Sequence, residues 1–372
     1  MRIGWRGALG IALSVLLLWF AFRGVPWSEV AAEIRRANLW LLVLSAAAAT
    51  GIFPLRARRW RTILDPVEPN LRFGPLWRAT AIGMMVSNIV PARAGELARA
   101  YALSRETPRV SFSAAFASIA VDRVFDTLVV LLLMFIAMLS PDFPLGGGVL
   151  ARKSATFGVA AIVVALVVLY CIVFFPARII SLFELFARRV APAFEQRGKA
   201  MLTSFAGGLS VLRSPQRFVA VFWWALLHWL LNAFAFWLAF VAVGVPAPFT
   251  AALFAQAIIA IGVALPSSPG FFGAFELAGK IALGVYGVSE SLAVTWAVGF
   301  HILSYIPITL LGGYYFARVG LSLDEIRRAS GGDGEGGRTV GGPVPDGRPP
   351  ARDSTRDSTR GIAPRSAQPP VT

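Results

Sequence analysis

Between residues 218 and 275 the chain carries no Asp, Glu, Lys or Arg. A helix needs about 20 apolar residues to cross the ~30 Å hydrocarbon layer of a membrane, so this stretch exceeds one crossing. It breaks at Gly244-Val245-Pro246-Ala247-Pro248 and again at Pro266-Ser267-Ser268-Pro269-Gly270, because proline removes a backbone donor and clashes with the preceding turn. Further charge-free stretches run 7–22, 37–55, 79–92, 127–141, 154–177 and 291–317. The chain is 15% charged, against about a quarter in soluble domains. The pattern predicts an all-α polytopic membrane protein. The stretch around Ile11–Phe22 lacks a small-x-small cleavage site and is read as an uncleaved first span.

Charge in the loops sets orientation. Residues 56–78 hold six arginines and 178–217 hold seven basic residues, which places both on the cytoplasmic side. The loops at 140–153, 244–249 and 287–290 hold only two basic residues, Arg152 and Lys153. Threading the chain through these constraints puts both termini in the cytoplasm and the protein in the cell membrane. Full spans are expected at 7–23, 38–56, 118–139, 155–176, 218–243 and 291–317. Two segments remain, giving eight hydrophobic segments in all. Segment 79–92 is too short to cross, and a crossing would export Arg93, Arg99, Arg105 and Arg109. A re-entrant hairpin entering from the cytoplasm meets both objections. Segment 249–286 is read as a second broken hairpin entering from outside, although two full crossings would give the same loop parity. Residues 1–320 form the membrane domain. Residues 321–372, rich in Gly, Pro, Ser and Arg, are expected to be a disordered cytoplasmic tail.

The formal net charge of +15 suits anionic lipid headgroups. It does not indicate nucleic acid, since no recognition helix or aromatic RNA motif accompanies it. The lone Cys171 and the separated His228 and His301 offer no metal centre of usual type, and no cofactor is expected. Without a P-loop motif, ATP does not drive this chain.

Within Ser87-Asn88-Ile89-Val90-Pro91-Ala92-Arg93-Ala94-Gly95-Glu96-Leu97-Ala98-Arg99, Arg93, Glu96 and Arg99 recur every three residues. That spacing puts them on one helix face, where a net-positive ladder could grip a phosphate; the plainer reading is a juxtamembrane salt-bridge ladder. The second constellation spans Pro266, Pro269, Gly270, Gly273 and Glu276. There a half-helix would point its positive end at a backbone break, or Glu276 could simply pair with Lys280 four residues on. Both segments contain Pro-x-x-x-Gly and Glu-Leu, which with opposite entry sides suggests an inverted repeat. Asp122, Arg123 and Asp126 open the third span; they could balance the arginines, relay protons or fix the span's end. Arg59 and Trp60 read as an interfacial anchor.

The ordered set Arg59-Trp60, Asn88…Pro91-x-Arg93-x-Gly95-Glu96-x-x-Arg99, Asp122-Arg123-x-x-Asp126 and Pro266-x-x-Pro269-Gly270-x-x-Gly273-x-x-Glu276 resembles the lysylphosphatidylglycerol synthase transmembrane-region family, the flippase-like domain family. The resemblance covers about residues 5–320. It implies lipid movement between leaflets, with re-entrant segments and membrane lipids as the partner. The two-part members carry a soluble aminoacyl-transferase domain after the membrane part. About 50 residues follow here, so synthase activity is not implied, and a homodimer or a separate synthase partner stays open. The expectation is a flippase or scramblase for an anionic phospholipid, a glycolipid or a polyprenyl-phosphate-linked lipid. A membrane-embedded enzyme acting on lipid-linked phosphates or sugars is the alternative, weakened by the lack of a catalytic motif. A non-catalytic scaffold is the third reading.

Overall fold

The computed structural model describes residues 5–90, 94–144, 149–190, 196, 199, 213–264, 269–322 and 325. Among them every regular element is helical: α1 Trp5–Phe22, α2 Trp27–Arg36, α3 Leu39–Leu64, α4 Phe73–Ile89, α5 Ala94–Glu106, α6 Phe112–Leu139, α7 Val149–Phe174, α8 Pro176–Val190, α9 Pro215–Val243, α10 Phe249–Gly262, α11 Ala274–Val285 and α12 Glu290–Val319. A short 3-10 turn, Pro269–Phe271, precedes α11. Apart from Leu321, Ser322 and Glu325, the segment expected as a tail lies outside the described residues.

The long helices begin where the sequence supplies an oxygen for a free N–H. The Asn38 side chain accepts from Leu41 N, Ser111 from Ala114 N, Ser214 from Arg217 N and Ser289 from Leu292 N, each satisfying an amide that the first turn leaves unpaired. Left-handed glycines close two of them, Gly244 after α9 and Gly320 after α12. Helix α4 stops at Val90, which is extended (ψ 130°), as the residue before a proline must be.

Among the described residues, four helices are long and apolar enough to cross a membrane: α3, α7 from Thr156, α9 and α12. The bent pair α1–α2, turned by 83°, makes a fifth if taken as one span. The expected six also counted α6, which is long enough at 28 residues but has charges in its middle. The amphipathic α2 was not anticipated. Three expected span boundaries move. Helix α3 runs to Leu64 rather than ending near 56, α6 starts at 112 rather than 118, and α7 starts at 149 rather than 155. The arginines at 56–61 and Arg152 and Lys153, read as loop charges, therefore sit inside α3 and α7.

Helices α4 and α5 pair antiparallel. Arg78, near the start of α4, pairs with Glu106 at the end of α5, and a Cβ on Gly83 would meet Arg99 Cβ and the Gly95 carbonyl at 2.7 Å. At 1.5 Å per residue α5, α10 and α11 reach only about 20 Å, short of the ~30 Å hydrocarbon layer. Both α4–α5 and α10–α11 therefore fit helices that enter and return.

The halves α3–α6 and α9–α12 pack by one scheme. Helix α3 lies on α9. Exchanging α3, α4, α5 and α6 for α9, α10, α11 and α12 maps α3–α4 onto α9–α10, α4–α5 onto α10–α11, and α5–α6 onto α11–α12. It also maps α4–α12 onto α10–α6, α3–α6 onto α9–α12, and α3–α12 onto α9–α6. The central helices run antiparallel. Asn38 N donates to Ala242 O at 2.7 Å, Ser45 Oγ to Ala235 O at 2.7 Å, and Arg217 reaches Asp65 at 3.2 Å. The halves thus share one packing scheme about an antiparallel central pair, as an inverted repeat requires.

Candidate functional site

Two apolar cores meet along α3 and α6. One holds Trp60, Leu64, Ile82, Leu103 and Ile119; the other holds Ile63, Phe125, Val129, Phe236 and Trp296. Between them lies a cluster of charge. Arg59, fully enclosed, bridges two aspartates one helical turn apart on α6: its Nε is 2.6 Å from Asp122 Oδ1 and its Nη1 2.7 Å from Asp126 Oδ1. Arg99 of α5 reaches Asp122 Oδ2 at 3.2 Å, with its guanidinium 4.0 Å from the centroid of the Trp60 ring. Arg56 lies 3.9 Å from Asp126 Oδ2, and Arg123 reaches the same oxygen at 3.4 Å. Arg123 also pairs with Glu96 at 2.9 Å where both side chains are partly exposed, which marks the mouth of the cluster.

Helix α9, from the other half, closes the cluster. Trp229 Nε1 donates to Asp126 Oδ1 at 3.0 Å, and His228 Nδ1 lies 3.5 Å from the same oxygen. Trp60 Nε1 donates to Ser118 Oγ at 2.7 Å. The arginines 56, 59, 99 and 123 face Asp122, Asp126 and Glu96, leaving one positive charge over. Arg59 Nη2, Arg99 Nε, Arg99 Nη2 and Arg56 Nε are buried with no hydrogen-bond partner. Unpaired buried donors are costly, and several converging on one seam describe a place suited to an anion.

Several sequence expectations are corrected here. Arg59 and Trp60 are both fully enclosed and so do not anchor the helix at the membrane surface; α3 continues past them, with Asp122 and Asp126 pairing Arg59. Glu96 does not ladder to Arg99: it turns to Arg123, while Arg99 turns inward to Asp122. Trp229 and His228 both address Asp126. Their part was hidden because about a hundred residues separate them from α6. Pro91, Arg93 and Pro266 lie outside the described residues. Gly95 serves packing, since a Cβ there would collide with Ser87 and the Gly83 carbonyl.

The second hairpin differs from the open anion site its sequence suggested. Gly270, Phe271 and Gly273 all have positive φ (72°, 61° and 87°), and the resulting turn aims the first amides of α11 back at its own carboxylate. Glu276 Oε2 accepts from Gly273 N at 2.6 Å, so the helix end is already closed by an acid. Glu276 Oε1 lies 2.7 Å from His301 Nδ1, and Lys280 pairs with Glu290 at 2.8 Å instead of with Glu276. The turn packs against α4. Tyr305 joins the two hairpins by donating to Asn88 O at 3.2 Å, while Asn88 Nδ2 donates to Thr309 at 2.9 Å.

The halves also differ at equivalent places. Counted from each helix start, Trp60 and Phe236 are the 22nd residues of α3 and α9, Ser118 and Trp296 the seventh of α6 and α12, and Asp122 and Phe300 the eleventh. In the second half this position is an aromatic core, with Phe236 4.7 Å from Phe300 and 5.2 Å from Trp296. Glu96 and Glu276 are both third in their helices. The repeat therefore aligns on Glu-Leu and not on Pro-x-x-x-Gly, whose glycines stand one and six residues before the glutamate.

The sequence profile described as the lysylphosphatidylglycerol synthase TM region matches residues 7–312. The chain belongs to this family. A UPF0104 membrane protein of Pyrococcus horikoshii is 22% identical over 324 residues, which is 82% of this chain and 93% of that one. One from Methanothermobacter thermautotrophicus is 27% identical over 330 residues, 82% of this chain and 90% of that protein. The glycosyltransferase AglD of Haloferax volcanii is 33% identical over 121 residues, covering 32% of this chain and 19% of AglD. Family and apolar helices together make this member a multi-pass membrane protein.

Proposed function

We propose that this member of the family moves a lipid with an anionic headgroup between leaflets of the cell membrane, with both termini cytoplasmic. The observation that carries this reading is the buried arginine cluster. Arg56, Arg59 and Arg99 keep donors without partners at the seam of two hydrophobic cores, and ionisable groups held at such depth are rarely without function. A headgroup phosphate would take the free N–H groups of Arg99 and Arg59, while Asp122 and Asp126 hold the guanidiniums in place. Arg123 and Glu96, partly exposed, would form the entrance. The packing supports the same reading, since an inverted repeat of two hairpins around a central site is the architecture of alternating access. Only the first half carries the charges, so one headgroup is held per chain. The match to part of a glycosyltransferase keeps sugar-bearing lipids within the substrate class.

Native mass spectrometry of the purified protein should release a phosphate-bearing lipid. Arg99→Gln should lose most of it while staying folded, because Arg59 still neutralises Asp122. Equal retention of lipid by wild type and variant would contradict the assignment.

A further inference from the structure

Resting on the transport reading, the geometry points to a proton-binding site at Glu276 and His301 that couples lipid movement to a proton gradient. Glu276 and His301 are both buried, at 2% and 6% exposure. The imidazole is covered by Phe272 at 4.6 Å and Phe275 at 4.5 Å between ring centroids. At 2.7 Å, Glu276 Oε1 and His301 Nδ1 are placed to share one proton. Releasing it to water leaves a lone negative charge in an apolar shell; taking it up restores a neutral sum.

The neighbouring charged groups are engaged elsewhere. On α11 the remaining ionisable side chain, Lys280, is engaged by Glu290 of α12 and by the carbonyls of Ala21 and Arg23 from the end of α1. Helix α10 carries no ionisable residue. On α4, Arg78 is committed to Glu106. On α9, His228 faces Asp126. On α12, Tyr305 donates to Asn88.

The charge state of the pair is tied to a backbone that can switch. The same carboxylate holds Gly273 N–H through its other oxygen and so fixes a turn in which Phe271, a residue with a side chain, sits at φ 61°. Such a conformation persists only while its surroundings impose it. A proton on the carboxylate weakens its hold on the amide, and the turn is free to relax. Phe272 packs on both His301 and Tyr305, and Tyr305 binds the end of α4, so relaxation at the second hairpin reaches the first, where the arginines lie.

The test uses the full chain in phosphatidylcholine vesicles with labelled phosphatidylglycerol and an imposed pH difference. One coupled proton shifts the steady-state ratio of label between leaflets about tenfold per unit of pH difference. Glu276→Gln should abolish that response. His301→Gln, which leaves the bond from Glu276 to Gly273 in place, serves if the first variant does not fold. Wild-type exchange that ignores the gradient, or a variant that keeps the full response, would overturn the coupling while leaving the transport reading intact. Infrared difference spectra of the purified protein read the site without transport. A pH-dependent carboxyl band missing from Glu276→Gln is expected, and its absence from wild type would overturn the site. Should wild type exchange no lipid at all, the transport reading and the coupling fall together, and the infrared band decides whether the proton site stands.

Discussion

At the scale of single residues, Arg59 is the keystone of the charge cluster. It is fully enclosed and bonded to both aspartates of α6. Removing one partner of a buried ion pair leaves an uncompensated charge, which costs about 3–5 kcal/mol. Arg59→Ala should therefore lower the unfolding midpoint in detergent strongly, and Arg59→Ala with Asp122→Asn should recover part of the loss. Additive losses in that double variant would contradict the pairing. Asp122, Arg123 and Asp126 were legible as a charge cluster because three ionisable residues in a membrane helix demand counterions. Their partners were not legible. Arg59 read as a surface anchor, since its neighbours Arg58 and Arg61 look the same in sequence, and only the helical phase against α6 separates the buried arginine from the outer ones. His228 and Trp229 belong to a charge-free stretch and carry no local mark of their bond to Asp126.

At the scale of elements, the two hairpins define the architecture. The first depends on close approach of α4 and α5 at Gly83 and Gly95, where an added Cβ has no room. Gly95→Leu should separate the helices at a cost of about 1–3 kcal/mol or more, read as a lower thermal midpoint; a neutral effect would mean that the hairpin is looser than described. Because α5 returns beside α4, Arg105→Cys should label from the same side of the membrane as Asn70→Cys, both positions being exposed. Labelling from opposite sides would show that α4 crosses. Charge and length in the sequence pointed to 79–92 as re-entrant, and the antiparallel pairing of α4 with α5 fits that reading. For 249–286 the sequence left two choices, and the short lengths of α10 and α11 favour the hairpin. The sequence misled at the second turn: a Pro/Gly break before a helix looks like an open anion site, but Glu276 lies three residues beyond Gly273 and closes it.

At the scale of the whole molecule, the inverted repeat accounts for both the similarity and the difference of the halves. Antiparallel contact of α3 with α9 and the exchange of hairpins between halves give the shared packing scheme. At equivalent positions Ser118 and Asp122 of the first half give way to Trp296 and Phe300 in the second, and the arginine cluster lies in the first half alone among the described residues. A short motif match hinted at the repeat through both Pro-x-x-x-Gly and Glu-Leu; of the two, Glu-Leu keeps register in α5 and α11, while the glycines stand at different distances from the glutamate. Leaflet exchange shows whether this seam receives an anionic headgroup in transit. In phosphatidylcholine vesicles containing labelled phosphatidylglycerol, wild-type protein should expose the inner-leaflet label to an external quencher well above the protein-free rate. Arg99→Gln, folded to the same extent, should fall at least about tenfold, the loss expected for one charged hydrogen bond of 1.4 kcal/mol or more. Exchange by Arg99→Gln at the wild-type rate would contradict the account.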